Sequence, residues 1–186
     1  MEEAKNLIKE AEKYCDYAQV NLSTNITNSL NIKNNKIDSF ENSVTKSIFL
    51  KVWVGKKVGW ISSSNFDIDL VKKAVKIAKS NTDLEYFYGL PEKKKYPNVK
   101  SFSEKVAKME IDDLVEIGEN TISKINIGKV NLNNASISQS KQEISILNSN
   151  GIYESCKETI FGISITSTLT GKKVSHGCKS SSCNPE

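Results

Sequence analysis

Four cysteines and one histidine are the residues whose chemistry could reach beyond packing: Cys15, Cys156, His176, Cys178 and Cys183. The last three, with Cys156 as a fourth ligand, are of the types that hold zinc. Their spacing argues against it. C-x4-C is at the outer edge of structural zinc spacings, and no second C-x2-C or H-x3-H pair accompanies it. Lys179-Ser180-Ser181-Ser182 reads as a frayed tail. Coincidence is the preferred reading, and no metal ligand is assigned. A redox disulfide between Cys178 and Cys183 is disfavoured in a reducing cytosol. Nucleophilic catalysis lacks its parts too: no serine lies in a G-x-S-x-G elbow, and a single tail histidine is a poor general base. Adjacent Asp112 and Asp113 open a helix, where the dipole favours them, and point about 100° apart, which does not suit shared acid/base work. No catalytic or cofactor-binding residue is assigned.

Composition narrows the classes further. At 186 residues, 38% hydrophobic and 26% charged, the chain is of ordinary globular make-up, long enough for one large domain or two small ones. Its net charge of +4 comes from lysine alone. Without arginine there is no bidentate reader of guanine or phosphate, so sequence-specific nucleic-acid binding is not expected. No apolar run approaches the roughly 20 residues of a membrane span. The start, Met1-Glu2-Glu3-Ala4-Lys5, leads into an acidic helix rather than a signal peptide, and the cytoplasm is the expected compartment. Cys15 falls on the apolar stripe of that helix and is read as a core residue.

The elements that would position any site are organised around Lys46–Ser80. Ile48, Leu50, Val52 and Val54 alternate with Phe49, Lys51 and Trp53, the period of a strand covered on both faces. Gly55-Lys56 suits a II′ turn, and 58–62 returns as a second strand. Asn65 or Asp67 is placed to cap a helix whose stripe is Leu70, Val71, Ala74, Val75 and Ala78. Before this come a helix over 2–15, strands at 16–22 and around Leu30–Ile32, a turn at Asn34-Asn35 and an irregular strand over 37–44. Leu90-Pro91, Lys93-Lys94-Lys95 and Pro97 mark a linker, onto which Tyr86-Phe87-Tyr88 is read as an anchor to the first domain. A further helix stripe begins at Ile111 and runs through Leu114, Val115, Gly118, Ile122 and Ile125. Val130–Leu132 and Ala135–Ile137 alternate out of phase, implying a bulge at Asn133-Asn134. Strands at 144–146 and 159–167 flank a turn at Asn148-Ser149-Asn150-Gly151. The expectation is an α+β fold: a mainly antiparallel sheet flanked by helices over 1–80, a linker over 81–110, and a second, smaller α+β subdomain over 111–186.

The order of these pieces resembles the TldD/PmbA family, proposed zinc metallopeptidases once called modulators of DNA gyrase. The first-domain pattern is met by Val52-Trp53-Val54-Gly55-Lys56-Lys57-Val58-Gly59, Ser64-Asn65-Phe66-Asp67 and Ala74 to Ala78. Asp16–Leu22 resembles the family's early strand, and Asn148–Gly151 followed by Thr159 and Phe161 its central domain. Ser47, Phe49 and Lys51 depart from the glycines and arginine usual in the first strand.

That resemblance implies a non-catalytic N-terminal half, forming chamber walls and dimer contacts in a peptidase assembly. Catalytic members carry H-E-x-x-x-H after the central domain, whereas His176 is followed here by Gly177 and Cys178. Zinc and a peptide substrate are therefore expected only in a complete assembly, with a TldD/PmbA-like subunit as homo- or heterodimer partner, and the chain alone is expected to be inactive. A stand-alone interaction module is the alternative reading, and a nucleic-acid accessory protein a more distant one. Apolar faces at Phe161, Ile163 and Ile165, and at Phe49 and Trp53 if no helix covers them, are expected to be left open, with self-association through 129–170.

Overall fold

Asparagines and glycines in tight turns set the sheet's layout in a computed structural model that describes residues 2–97, 99–125 and 130–169. Strands β1 (Tyr17–Lys33) and β2 (Lys36–Val54) meet at Asn34-Asn35, both with positive φ (51° and 61°), a conformation asparagine tolerates better than other side-chain-bearing residues. At the next turn Gly55 has φ +58°, and β3 (Lys57–Ser63) returns antiparallel to β2, from Val54↔Lys57 to Ile48↔Ser63. A third turn at Asn148–Gly151 joins β4 (Val130–Asn148) to β5 (Tyr153–Leu169), with Gly151 at φ +81°. The order across the five-stranded sheet is β3-β2-β1-β4-β5. Thus β1 and β4, remote in sequence, pair in opposite senses, as the bonds Ser149 N–H to Ala18 O and Asn34 N–H to Asn133 O show.

The strands are longer and fewer than the sequence suggests. Segments 16–22 and 30–32 are one strand, 37–44 and 48–54 another, and 130–137 and 144–146 a third. Polar residues in their middles interrupt the apolar alternation without interrupting the ladder.

Contacts divide the chain into two units, each built from separated stretches: 1–24, 45–98 and 143–156 in one, 25–44, 99–142 and 157–186 in the other. These units interleave along the chain, unlike the consecutive blocks expected at 1–80 and 111–186. In the first, helices α1 (Glu2–Ala11) and α2 (Asp69–Ser80) bring Ala4, Leu7, Ala11, Leu70, Val71 and Ala74 into one core with Val20, Leu50, Val52 and Leu147 of the strands. Asp67, rather than Asn65, serves the start of α2: its Oδ1 accepts the Asp69 N–H at 2.9 Å. At its end Asn81 Nδ2 donates to Val58 O at 2.7 Å, tying the helix to β3. Gly59 makes the close crossing possible. A Cβ there would lie 2.2 Å from Ala74 O and 2.4 Å from Ala78 N, so the Ala74–Ala78 spacing and Gly59 are one backbone contact seen from two sides.

In the second unit, α3 (Glu104–Ala107) and α4 (Ile111–Ile125) follow in sequence. Asp113 Oδ2 accepts the Glu110 N–H at 2.8 Å, the structural role expected at a helix start. Leu114 and Gly118 of α4 are buried, Leu114 with Leu30, Ile32, Leu132, Ala135 and Ile137. Burial of both Leu132 and Ala135 in that cluster is a phase break within β4, which a regular pleat does not make. Phe161, Ile163 and Ile165 pack, half-buried, against the same cluster, so the face expected to be open carries partial cover.

Candidate functional site

The feature of the first unit that helix and strand packing leaves unexplained is a strap, residues 84–91, laid over the sheet. Four of its residues hold it. Leu84 N–H donates to Lys56 O at 2.8 Å, at the β2–β3 turn. Phe87 stacks on Trp53, with centroids 5.3 Å apart and planes 11° from parallel, and meets Tyr17 edge-on at 5.5 Å. Leu90 O accepts from Asn150 Nδ2 at 2.7 Å, and Pro91 O from Asn148 Nδ2 at 3.1 Å. Asn148 Oδ1 meanwhile accepts the N–H groups of Asn150 and Ile152, so one side chain shapes the β4–β5 turn and grips the strap.

This corrects the expectation that Phe49 and Trp53 form an open face. Trp53 is only 4% exposed, and Lys51 Nζ lies 4.9 Å from the centre of its ring. Phe49 sits 5.6 Å from Trp60, which remains 55% exposed. Phe87 is the anchor expected of the aromatic triplet, whereas Tyr86 and Tyr88 stay exposed. The linker expected over 81–110 is thus a held segment that also contains α3.

Chemistry-bearing residues are scattered rather than gathered. Cys15 is half-buried: its Sγ donates to Ala11 O at 3.0 Å and approaches Tyr17 O at 3.3 Å. Burial pushes the thiol up to about 11, with the Asp16 carboxylate adding to the effect, so it is a packed thiol and not a nucleophile. Cys156 is exposed on β5. His176, Cys178 and Cys183 lie outside the described residues. Among the described residues, no three His, Cys, Asp or Glu side chains are grouped to hold a metal ion. Asp112 and Asp113 lie in the first turn of α4, where Asp113 accepts the Glu110 N–H.

A groove of about 520 Å³ in the second unit is lined by Met109, Ile117 and Phe161 together with Lys105, Asp113 and Glu116. Apolar residues beside charges of both signs suit contact with a polypeptide better than a reaction. No sequence motif announces the groove or the strap, because each is assembled from residues tens of positions apart.

Residues 18–81 match the PmbA/TldA metallopeptidase domain 1. Comparison with curated proteins gave no match. Among solved structures, TldE from Thermococcus kodakarensis is similar over 96% of this chain and 42% of its own, with a TM-score of 0.81 at 18% identity. A candidate modulator of DNA gyrase from Bacteroides thetaiotaomicron is similar over 97% of this chain and 43% of its own, with a TM-score of 0.79 at 18% identity. A second such candidate, from Thermotoga maritima, covers 90% and 39%, with a TM-score of 0.74 at 15% identity. At these identities the likeness establishes the fold. The chain spans about two fifths of the length of the structures it matches. No helix among the described residues is long and apolar enough to cross a membrane.

Proposed function

We propose that this chain, whose residues 18–81 match the PmbA/TldA metallopeptidase domain 1, is a non-catalytic scaffold of a metallopeptidase assembly of the TldD/PmbA type. In this reading it forms walls and subunit contacts, while cleavage of peptides or unfolded proteins belongs to the complete assembly in the cytoplasm. The observation that carries the reading is the first-domain match in a stretch that holds no H-E-x-x-x-H segment. The residues present do not fit the zinc site that the family name implies: the one histidine is followed by Gly177, and the described acids and thiols are dispersed. The groove of the second unit sets apolar residues beside charges of both signs, the kind of surface that subunit contact uses.

The test pairs the purified chain with a TldD/PmbA-type subunit that carries H-E-x-x-x-H. The chain alone is expected to hold no stoichiometric zinc and cleave no unfolded peptide, and to co-purify with that subunit as an active complex. Tightly held zinc lost in a Cys178→Ser variant, or cleavage by the chain alone, would overturn the reading. A folded chain that ignores such a subunit would favour the stand-alone interaction module.

A further inference from the structure

Helix α2 carries its charge unevenly. After Asp69 in the first turn it reads L-V-K-K-A-V-K-I-A-K-S, with four lysines and no further acid. Leu70, Val71, Ala74, Val75 and Ala78 go to the core, and all four lysines are exposed. Three of them, Lys72, Lys76 and Lys79, follow one ridge at i, i+4 and i+7, about 6 Å and then about 4.5 Å apart along the axis. The ridge borders a groove of about 320 Å³, to which Val75 contributes an apolar patch. Tyr14, just past α1, completes the lining and is 46% exposed. The acids nearby are already engaged: Glu10 with Lys13 at 2.6 Å, and Asp69 with Lys72 at 3.4 Å. Lys76 and Lys79 have no acid within ion-pair distance among the described residues. Lys57 Nζ, reaching Lys79 O at 3.4 Å, adds another ammonium beside the end of the ridge. The helix dipole accounts for a lysine in the last turn, such as Lys79, and not for Lys72 near the start.

We propose that this groove binds an acidic peptide segment in extended form, with carboxylates on alternate residues. Same-side side chains of an extended chain recur about every 6.6 Å, near the step from Lys72 to Lys76. The intervening side chains point the other way, so aliphatic ones can leave the lysine ridge for the Tyr14 ring. A phosphodiester strand carries a charge on every unit and has no aliphatic side chain for that surface. Forked recognition of phosphate also uses arginine, which this chain lacks. A bilayer would need the apolar face of α2, which is already in the core. Every part of the groove lies in the first unit. The contact needs no peptidase subunit and stands or falls apart from the scaffold reading.

Fluorescence anisotropy of a labelled octapeptide alternating glutamate and leucine, added to the full chain at about 0.15 M salt, tests this. The peptide should bind, and its glutamine-for-glutamate counterpart about tenfold more weakly or worse. Lys76→Glu with Lys79→Glu should also cost about tenfold or more, because each carboxylate then meets a like charge. Tyr14→Ala should cost about threefold through lost apolar contact. Circular dichroism should show each variant folded, since all three positions are exposed. Lys33→Glu with Lys36→Glu, at the exposed β1–β2 turn, makes the same change in net charge on other elements and should leave binding within about twofold, because salt screens distant charges. No binding of the glutamate peptide would overturn the proposal, and so would an equal loss in the Lys33/Lys36 pair. Unchanged binding in Tyr14→Ala, or tighter binding of an oligothymidylate carrying the same charge, would overturn it as well.

Discussion

Two helices lie on this sheet through a glycine, and the two contacts are made differently. At Gly59 the neighbour is backbone: the Ala74 carbonyl and the Ala78 amide stand where a side chain would begin. At Gly118 of α4 the nearest atoms are the ends of flexible side chains, Leu30 Cδ2 at 2.6 Å and Ile32 Cδ1 at 3.4 Å. A backbone contact does not yield without moving a whole helix, whereas a leucine terminus yields by changing rotamer. The glycine at the helix–sheet contact is thus a geometric requirement in the first unit, on β3, and a packing preference in the second, on α4.

Gly59→Ala should break the comparison most sharply. Pushing α2 off β3 is expected to cost about 3 kcal/mol, the upper end for overpacking, read as a lower denaturation midpoint in urea. A variant as stable as the parent would mean that α2 sits further from β3. Gly118→Ala sharpens the same comparison from the other side. Alanine favours the helix by about 0.5–1 kcal/mol, which offsets the displacement of Leu30, so the net change should stay within about 1 kcal/mol, of either sign. A loss as large as that at Gly59 would show that the second core is equally rigid.

The smallest effect concerns Cys15, whose thiol is raised to about 11 in the fold. A raised acid binds its proton more tightly folded than unfolded, so its stabilising share is full below pH about 9 and is lost as pH rises towards 11. After discount for partial exposure the loss is about 1 kcal/mol. It should be absent from the pH profile of Cys15→Ala, so that the stability difference between the parent and this variant falls as pH rises from 9 to 11. Alkylation at pH 8 supplies a second readout, with Cys156 reacting well before Cys15.

Legibility in the sequence followed locality. The turns at Asn34-Asn35, Gly55-Lys56 and Asn148–Gly151 were readable, because positive φ selects asparagine and glycine whatever surrounds them. Helix stripes at Leu70–Ala78 and Ile111–Ile125, and the phase break near Asn133-Asn134, were readable from local apolar periodicity. Strand length was not. Asn28 lies between Gln139 and Asn42 and is bonded to both, so polar pairs continue the sheet where apolar alternation lapses. The strap is half-legible: the Tyr86-Phe87-Tyr88 cluster reads as an anchor, but nothing near Asn148 or Asn150 predicts that their amides bind carbonyls at Pro91 and Leu90. The tail cysteines and histidine fall outside the described residues, and their spacing remains the evidence on them.

The pairing of β1 with β4 has a consequence in time. Asn28 bonds Gln139, 111 residues later. During synthesis at roughly 5–20 residues per second, β1 must wait on the order of ten seconds before its second neighbour exists. Leu147, which completes the first core, arrives later still. Until then the β1–β2 hairpin offers two free edges to a crowded ribosome surface, and the helix α2 is made before the sheet beneath it is finished. Slow, late closure of this kind favours chaperone contact during synthesis and makes a folding rate set by topology rather than by any single turn.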